Sequence, residues 1–378
     1  MNSTPAASAP PASPRLMSID ALRGFDMFWI VGAEGLVEAL RKLAPNPVIG
    51  LVATQLEHKE WQGFAFEDLI FPLFVFLVGA SIVFSLSKIV SNEGRAMALG
   101  RVFKRFILLY LLGIFYYGGF ANVWPEIRLV GVLQRIALTY FFASLLYLCL
   151  PPKGLVAATI TILLGYWALM ALVPVPGVGA GHYEEGKNLA NYIDQQYLPG
   201  MKWDKTHDPE GLLSTIPAVA SCLLGVFAGL LLRNDKVAPQ RKVVILLSVG
   251  VALVIAGFGW GTVFPVVKKI WSSSFVLVAG GYSAMILAAF YWLIDIRQWQ
   301  GWAQPFVWIG LNPITIYMTK KLVPFPDWAK RFFGGDVQHF LNTSIAQGLG
   351  DLLLALTTLG FVWFLAWFLY RRKIFIRI

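Results

Sequence analysis

The sequence is poor in charge and nearly free of cysteine. Only 14% of its 378 residues are charged and only two are cysteines, whereas 57% are hydrophobic and the mean hydropathy is +0.65. Soluble domains carry about 25% charged residues, so an ordinary soluble fold is excluded. Both cysteines, Cys149 and Cys222, lie inside apolar stretches, which argues against a disulfide framework and against redox chemistry.

Short catalytic motifs are also missing. The chain contains no G-x-x-x-x-G-K-[ST], G-x-G-x-x-G, H-E-x-x-H or G-x-S-x-G sequence, so an ATPase, a nicotinamide-dependent enzyme, a zinc protease and a serine hydrolase have no support. The net charge of +10 is scattered between apolar stretches and forms no single patch. The basic residues therefore indicate membrane topology, and no nucleic-acid partner is predicted.

What the chain has is a series of apolar stretches, each close to the ~20 residues that a spanning helix needs. The fourteen Trp and thirteen Tyr fit aromatic belts at the two membrane interfaces. We therefore predict an all-α polytopic membrane protein, with about ten transmembrane helices in a single bundle. The predicted spans are 20–38, 66–87, 102–119, 129–150, 155–174, 212–232, 243–261, 275–294, 303–320 and 346–370.

The distribution of Lys and Arg predicts the orientation. Residues 1–15 are rich in Pro, Ala and Ser and are predicted to be a disordered cytosolic tail, and residues 16–378 a single transmembrane domain. Basic clusters follow the second, sixth and tenth spans, which places both termini in the cytosol. The loops on the other side then carry all four histidines, His58, His182, His207 and His339.

The first span carries an unusual number of charges. At 100° per residue, Asp20, Arg23, Glu34 and Glu38 share one face, and Asp26 widens that face to about 120°. Charges are costly in hydrocarbon, so this stripe is predicted to face a water-filled or partner-lined interior. Asp20, Arg23 and Asp26 alternatively form a local salt-bridge cluster at the cytosolic interface. Glu34 has no basic neighbour on its own helix.

A second polar group precedes the second span. His58 stands between Glu57 and Glu60, and Glu67 and Asp68 follow two or three helical turns later. Histidine exchanges protons near neutral pH, a carboxylate can orient its ring, and the ring can also carry an acyl group. The simpler readings are that His58 is a surface residue and that Asp68 starts its helix.

The fourth span begins with two arginines on one face, Arg128 and Arg135, with Gln134 beside them. Each guanidinium suits either a phosphate or carboxylate ligand, or an ion pair with the acids of the first span. Before the sixth span, Asp208 as N-cap, with Glu210 in the first turn, predicts a helix start.

The segment before the sixth span also holds two histidines, the first of which is followed closely by two glutamates. Their spacing does not suggest a metal site, and no metal is predicted. These residues are His182, Glu184, Glu185 and His207.

Several long segments together resemble the heparan-alpha-glucosaminide N-acetyltransferase family, which includes bacterial relatives. The resemblance covers roughly residues 16 to 320, with the motifs in the family's order. The segments are SIDALRGFDMFWIV, HKEWQGFAFEDLIFPLFVFLVGAS, GVLQRIALTYF, DPEGLLSTIPAVASCLLGVFAGLLLR and PFVWIGLNPITIYM.

The resemblance implies a multi-span enzyme that uses cytosolic acetyl-CoA to acetylate the amino group of a terminal glucosamine on the far side of the membrane. It places the catalytic histidine at His58, and it matches Asp68, Arg135 and Asn312 to residues of the family's motifs. It also implies a homodimer and, for a bacterial relative, the inner membrane. No metal is implied.

The chain departs from the lysosomal members at two positions and at its start. Those members have asparagine where this chain has Glu34, histidine where it has Lys320, and an additional N-terminal luminal domain with its own span. The sugar specificity therefore stays open.

We assign the candidate site residues on this basis. The catalytic candidates are His58, Asp68 and Glu34. Acetyl-CoA, as co-substrate, is assigned to Arg101, Lys104, Arg105, Arg128, Gln134 and Arg135. The amino-sugar acceptor is assigned to Trp61, Asp208, Glu210 and Asn312.

Two other functions remain as alternatives. A charged stripe through a helical bundle also suits a proton-coupled transporter of a sugar or small molecule, which would move its substrate without acetylating it. A scaffold for envelope assembly would use the same charges only to lock helices together, and would tolerate neutralisation of Glu34 and His58.

Overall fold

The computed structural model describes residues 16–43 and 47–376, except for the side chains of residues 33–34 and 47–49. The predicted tail, 1–15, lies outside the described residues. Nearly all regular structure in the described part is helical, and its only β-pairings are two isolated bridges, Gln62 with Val267 and Val175 with Gly179. Both cysteines are free, as predicted.

The helices follow one another in the order of the apolar stretches. They are α1 Met17–Leu43, α2 Pro47–Gln55, α3 Phe66–Tyr116, α4 Val132–Cys149, α5 Pro152–Leu172, α6 Leu189–Tyr197, α7 Thr215–Arg233, α8 Pro239–Trp260, α9 Ser273–Phe290, α10 Gln304–Gly310, α11 Pro313–Leu322, α12 Phe325–Phe333, α13 Asp336–Phe340 and α14 Leu349–Arg371.

Seven helices in the described ranges are long and apolar enough to cross a membrane, so the all-α polytopic class is confirmed. All ten predicted stretches lie on helices, but not one to one. α3 contains two of them and has non-helical backbone between them at Gly94. The ninth predicted stretch is divided into α10 and α11 around Asn312. The first lies on α1, which carries too many charges to qualify as a membrane span by composition alone. The number of spans therefore stays a prediction.

Glycines bring α3 and α7 into direct backbone contact. A Cβ atom added at Gly79 would lie 1.9 Å from the carbonyl oxygen of Cys222, and one at Gly225 would lie 1.8 Å from that of Phe76. Small residues permit this close approach, and close packing replaces the hydrophobic effect as the force between helices in lipid.

Replacing Gly79 by alanine is expected to lower the melting temperature of the detergent-solubilised protein, because the added methyl group forces two backbones apart at a cost of about 1–3 kcal/mol. Gly165→Ala on α5 is the matched control, since nothing lies within 4 Å of its Cβ position. The control is expected to melt at or above the wild-type temperature, because alanine is the better helix former. Equal melting of the two variants would contradict the close contact.

Four connecting segments meet at one end of the bundle, which we call the histidine face: residues 56–65, 117–131, 173–214 and 261–272. The indole Nε1 of Trp61 donates a hydrogen bond of 3.0 Å to the carbonyl oxygen of Tyr183. The N–H of Gly63 donates one of 2.9 Å to the carbonyl oxygen of Val266. The second half of α3 returns the chain to this face, so segments distant in sequence surround one cavity there.

Candidate active site

A cavity of about 570 Å³ opens on the histidine face. Its walls come from α1, α3, α4, α11 and the connecting segments, and two stacked rings, Tyr116 and Tyr317, whose centroids are 4.5 Å apart, form part of its lining. An uncommon number of ionisable side chains line it. These are Glu38, Arg41, Glu57, His58, Glu67, Glu210, Lys268 and Lys320.

His58, Asp68 and Lys268 form a compact cluster at this cavity. Nδ1 of His58 lies 3.1 Å from Oδ1 of Asp68 and 3.0 Å from Nζ of Lys268. The Asp68 side chain is 1% exposed, whereas that of His58 is 58% exposed. A proton on Nδ1 donated to the buried carboxylate leaves Nε2 as the basic nitrogen, and the exposure of the ring gives a substrate access to it.

Asp68 both starts its helix and orients the histidine. Its Oδ2 accepts the N–H groups of Ala65, at 3.1 Å, and Lys59, at 3.3 Å. The first of these is the reciprocal bond of a capping arrangement at the N-terminus of α3. Because the backbone holds one oxygen, the other has a fixed position beside His58. The two readings of Asp68 from the sequence are therefore compatible.

The W-Q-G sequence fixes the loop that carries His58. Trp61 bonds to Tyr183, Gln62 forms its bridge with Val267, and Gly63 has a φ of +125°, a conformation that a side chain would strain. The bridge brings the 261–272 segment alongside, and Lys268 follows Val267 directly. Trp61 does not line the cavity but joins two loops through its bond to Tyr183, so the prediction that it binds the acceptor stays a prediction.

Lys268 is a site residue that the sequence reasoning missed. It follows no recognised motif, and its only signal was a pair of lysines between two apolar stretches on the side that carries the histidines. Burial lowers the pKa of Lys268, although Asp68 opposes this effect. Its Nζ is 3.6 Å from Oδ1 of Asp68, so it balances the charge of that carboxylate.

A buried ion-pair cluster stands beside the cavity. Arg128 donates from Nε to Asp208 at 3.0 Å, and from Nη2 to Asp208 at 2.7 Å and to Glu210 at 2.8 Å. Its guanidinium lies over Tyr117 and Trp203, 4.4 and 4.9 Å from the ring centroids. Burial would lower the pKa of Arg128, but the two carboxylates outweigh it and raise this pKa.

These partners revise two predictions. Arg128 forms ion pairs as one reading proposed, but with Asp208 and Glu210 and not with the acids of the first span. The prediction of a helix start at Asp208 is wrong, because α7 begins at Thr215 and residues 208–214 form a turn. The turn places Glu210 in the cavity wall, where burial raises its pKa.

Asp194 on α6 holds this turn in place. Its two oxygens accept the N–H of Leu212 at 2.9 Å and that of Asp208 at 3.3 Å. A Cβ atom at Gly211 would lie 1.9 Å from the carboxylate, so only glycine fits there. Burial raises the pKa of Asp194 to about 6, even though the two N–H groups oppose that shift.

This raised pKa predicts a pH dependence of stability. Because the folded value exceeds the unfolded value of about 3.9, the folded state binds the extra proton. The resulting stabilisation is complete below about pH 4 and is lost as the pH rises through 6, a change on the order of 3 kcal/mol. We expect the fall in melting temperature between pH 4.5 and 7 to be smaller in Asp194→Asn than in the wild type. The exposed Asp235→Asn should retain the full fall, and parallel curves for all three proteins would refute the assignment.

Arg135 and Gln134 are both buried near the start of α4. Arg135 donates from Nη2 to the carbonyl oxygen of Gly211 at 3.3 Å and to the Ser214 hydroxyl, and it lies over the Trp271 ring. Its Nε and Nη1 have no hydrogen-bond partner among the described residues. Gln134 packs against Gly113 of α3, and its Oε1 is likewise without a partner in that part of the chain.

The remaining candidates lie apart from His58. Arg101 pairs with Glu93 at 2.7 Å near the kink of α3, and Arg105 lies over Tyr140, 4.7 Å from the ring centroid. Lys104 is exposed in the same region. The amide of Asn312 bonds to the backbone of residues 374 and 376, next to the end of α14, and it does not line the cavity. Glu34 lies on α1, but its side chain is outside the described residues.

The charged residues of the α1 stripe contact different parts of the protein. Arg23 contacts Asp20 at 3.2 Å, the Ser81 hydroxyl at 2.7 Å and the carbonyl oxygen of Gly310 at 3.2 Å. Asp26 is fully buried, and its oxygens have no hydrogen-bond partner among the described residues. Glu38 lines the cavity. Asp20 and Asp26 are therefore buried in the protein and Glu38 is exposed at the cavity, while the alternative salt-bridge cluster includes Asp20 and Arg23 but not Asp26.

Three residues of the 173–214 segment could hold a metal ion. One ligand atom from each of Glu185, Asp204 and His207 lies within 4.8 Å of the others, so the structure gathers residues whose spacing gave no such indication. The ammonium of Lys269, however, lies 3.1 Å from Glu185 and 2.9 Å from Asp204. Burial lowers the pKa of His207. Lys269 already supplies the positive charge that the two carboxylates require.

The fold and the site together define a polytopic helical membrane protein with a histidine–carboxylate pair at one mouth of its bundle. Residues 15–259 match the model of the heparan-alpha-glucosaminide N-acetyltransferase catalytic region, and the chain therefore belongs to this family. The match includes the His58 loop, α3 and the Asp194–Glu210 segment.

Two curated relatives carry the name heparan-alpha-glucosaminide N-acetyltransferase. The protein of Homo sapiens is 28% identical over 97% of this chain and 60% of its own length. That of Mus musculus is 27% identical over 85% of this chain and 56% of its own length. The chain thus spans about 60% of the length of the curated relatives that it matches.

Proposed function

We propose that the chain is a transmembrane N-acetyltransferase, which moves the acetyl group of acetyl-CoA to the amino group of glucosamine or of a glucosamine-terminated sugar on the far side of the membrane. One observation carries this proposal. In a chain of this family, the exposed ring of His58 is within hydrogen-bond distance of the buried carboxylate of Asp68, at the mouth of a cavity of about 570 Å³. A membrane-embedded acyl transfer needs a base at such a mouth.

The chemistry assigned to His58 is proton removal. An amine attacks a thioester only when it is unprotonated, so a base must take its proton. The amine nitrogen bonds to the acetyl carbon, the amine proton passes to Nε2 of His58, and the carbon–sulfur bond breaks to release the thiolate of CoA. The imidazolium of His58 then returns the proton to this sulfur, which leaves as the thiol of CoA. His58 can alternatively accept the acetyl group first and pass it on to the amine. Both routes use the same nitrogen.

Asp68 positions the ring of His58, and Lys268 lies beside both side chains. The imidazolium that forms during proton transfer is stabilised by the carboxylate 3.1 Å away. Lys268 opposes this stabilisation, because its ammonium lies 3.0 Å from Nδ1 of His58. Glu67 and Glu210 line the cavity and are the acidic groups that attract a sugar ammonium.

The donor is assigned to the opposite end of the bundle. Acetyl-CoA carries its phosphates at one end and its thioester at the other end of a long flexible arm. Arg101, Lys104 and Arg105 attract the phosphates, while Tyr116 lines the cavity. Arg105 and Tyr116 are eleven residues apart on α3, or ~17 Å along a helix, so the arm has to run roughly parallel to α3. Arg135 lies between these ends and is assigned to the thioester portion.

The surrounding assignments complete the proposal. The histidine face is the outer side, both termini are cytosolic, the membrane is a bacterial inner membrane, and the protein is a homodimer. Trp61 and Asp208 support the fold around the acceptor, whereas Asn312 joins the break between α10 and α11 to the C-terminal segment. A proton-coupled transporter is not favoured, because the family that the chain matches is named for an acetyl transfer.

A mass-spectrometric assay tests the proposed function. Detergent-purified protein is incubated with acetyl-CoA and glucosamine, and N-acetylglucosamine and free CoA are followed together. The proposal expects equal amounts of the two products. CoA release without acetylated sugar would show hydrolysis only, and the absence of both products would reject an acetyltransferase.

A further inference from the structure

A second cavity, of about 550 Å³, lies on the other side of α1 from the first. Its walls come from α1, α12, α14 and the end of α11. Two residues, Glu38 and Lys320, line both cavities. The two spaces are therefore neighbours, separated by a partition that includes these two side chains.

The second cavity is polar at one end and apolar at the other. Lys42 of α1 pairs with Asp351 of α14 at 3.0 Å at its outer end. At its inner end a Cβ atom on Gly32 would touch the Leu359 side chain. These contacts show that α1 and α14 run antiparallel along the cavity. Lys42 and Gly32 are ten residues apart, so the cavity follows the helices for ~15 Å.

The α14 side of the cavity becomes apolar toward the inner end. On α14 its lining passes from Asp351 at the outer end to Leu354, Ala355, Thr358, Leu359 and Val362 further in. These positions recur every three or four residues and so form one face of the helix. A second sugar ring would bury hydroxyl groups there without hydrogen-bond partners, whereas an alkyl chain has no polar groups that need partners.

The outer end is polar. Lys42, Glu38 and Asp351 line it, Lys330 also lines the cavity, and the ammonium of Lys320 lies 3.3 Å from the carbonyl oxygen of Ile30, nearer the inner end. Lys330 is exposed and makes no ion pair within the ranges that the structure describes. An occupant with a strongly polar head at this end, and an apolar tail beyond it, matches both ends of the cavity.

The position of α14 gives such an occupant a route of entry. Only 22% of its most apolar window is buried within the protein, so the helix stands at the periphery of the bundle. An apolar chain would reach the cavity from the bilayer without crossing water.

We propose that the second cavity holds the apolar tail of a lipid-linked amino-sugar acceptor, whose sugar passes Glu38 and Lys320 to reach His58. This inference rests on the proposed acetyl transfer and names the class of acceptor: an amphiphilic glucosaminide with a free amino group. The sugar then occupies the polar junction of the two cavities, and the tail follows α14.

The test compares glucosamine with octyl glucosaminide, in which the amine is free, both below the micellar concentration and with the protein in lipid nanodiscs. The wild type is expected to have a KM for octyl glucosaminide at least about tenfold below that for glucosamine, because the tail adds apolar contact. Octyl glucoside, which lacks the amine, is expected to inhibit glucosamine acetylation competitively.

Ala355→Phe fills the cavity and should raise the KM for octyl glucosaminide by about tenfold, while kcat/KM for glucosamine stays within about twofold. Leu356→Phe is the matched control, since Leu356 is 51% exposed, adjacent in sequence and absent from the lining. It should change neither value.

The outcomes distinguish failure of the lipid-linked acceptor from failure of the proposed acetyl transfer. Turnover of glucosamine without preference for the octyl compound, and without inhibition by octyl glucoside, overturns the lipid-linked acceptor alone. Equal effects of Ala355→Phe and Leu356→Phe on the octyl compound do the same. Absence of acetylation of either sugar by the wild type overturns the proposed function and this inference with it.

Discussion

Replacing His58 by alanine is expected to lower kcat for acetyl transfer to glucosamine by about 100- to 10,000-fold, the range that positioned acid–base catalysts supply. The variant should keep its fold, because the His58 ring is 58% exposed and fills no core. Its melting temperature should therefore stay close to that of the wild type. A kcat within about threefold of the wild type would remove His58 from the chemistry.

His182→Ala is the matched control for this prediction. His182 also lies on the histidine face, is 41% exposed and contacts a carboxylate, with Nδ1 3.5 Å from Glu184. It does not line the cavity. Its variant should keep full activity.

Replacing Arg128 by methionine is expected to destabilise the protein by about 3–5 kcal/mol, because it leaves Asp208 and Glu210 buried without their counter-charge. The Arg128 side chain is 3% exposed and that of Asp208 is fully buried. The loss should appear as a large fall in melting temperature, and as a loss of activity through the displaced turn that carries Glu210.

Arg101→Met provides the contrast. Arg101 also pairs with a carboxylate at 2.7 Å, but its side chain is 52% exposed, so water competes for both charges. Removing it should cost less than about 1 kcal/mol. Similar falls in the melting temperatures of the two variants would show that burial does not govern the Arg128 cluster.

The sequence predicted the helical bundle well but divided it differently. Hydropathy locates apolar stretches, and every predicted stretch lies on a helix in the structure. Hydropathy separates the two spans of α3 but does not show that they are joined only by a kink with non-helical backbone at Gly94, since a polar region between two spans resembles a longer loop. It also cannot show the break at Asn312, which depends on the tertiary contacts of its amide with the C-terminal segment.

Local patterns predicted only the local part of the candidate site. The pairing of His58 with Asp68 spans ten residues and could be proposed from a loop followed by a helix start. Lys268 lies 210 residues away from His58, and it reaches the ring only because Gln62 pairs with Val267. The turn that presents Glu210 likewise depends on contacts with residues distant in sequence, Asp194 and Arg128. Its Asp-Pro-Glu sequence is also typical of a helix start, which is why the sequence predicted a helix there.

The measurement that tests the account most directly is acetyl transfer across a sealed membrane. Proteoliposomes are oriented with the histidine face inward, loaded with glucosamine, and given acetyl-CoA with a labelled acetyl group outside. The account predicts labelled N-acetylglucosamine inside the vesicles and free CoA outside, both abolished by His58→Ala. Labelled sugar confined to the outside, or release of unmodified glucosamine as from a transporter, would contradict it.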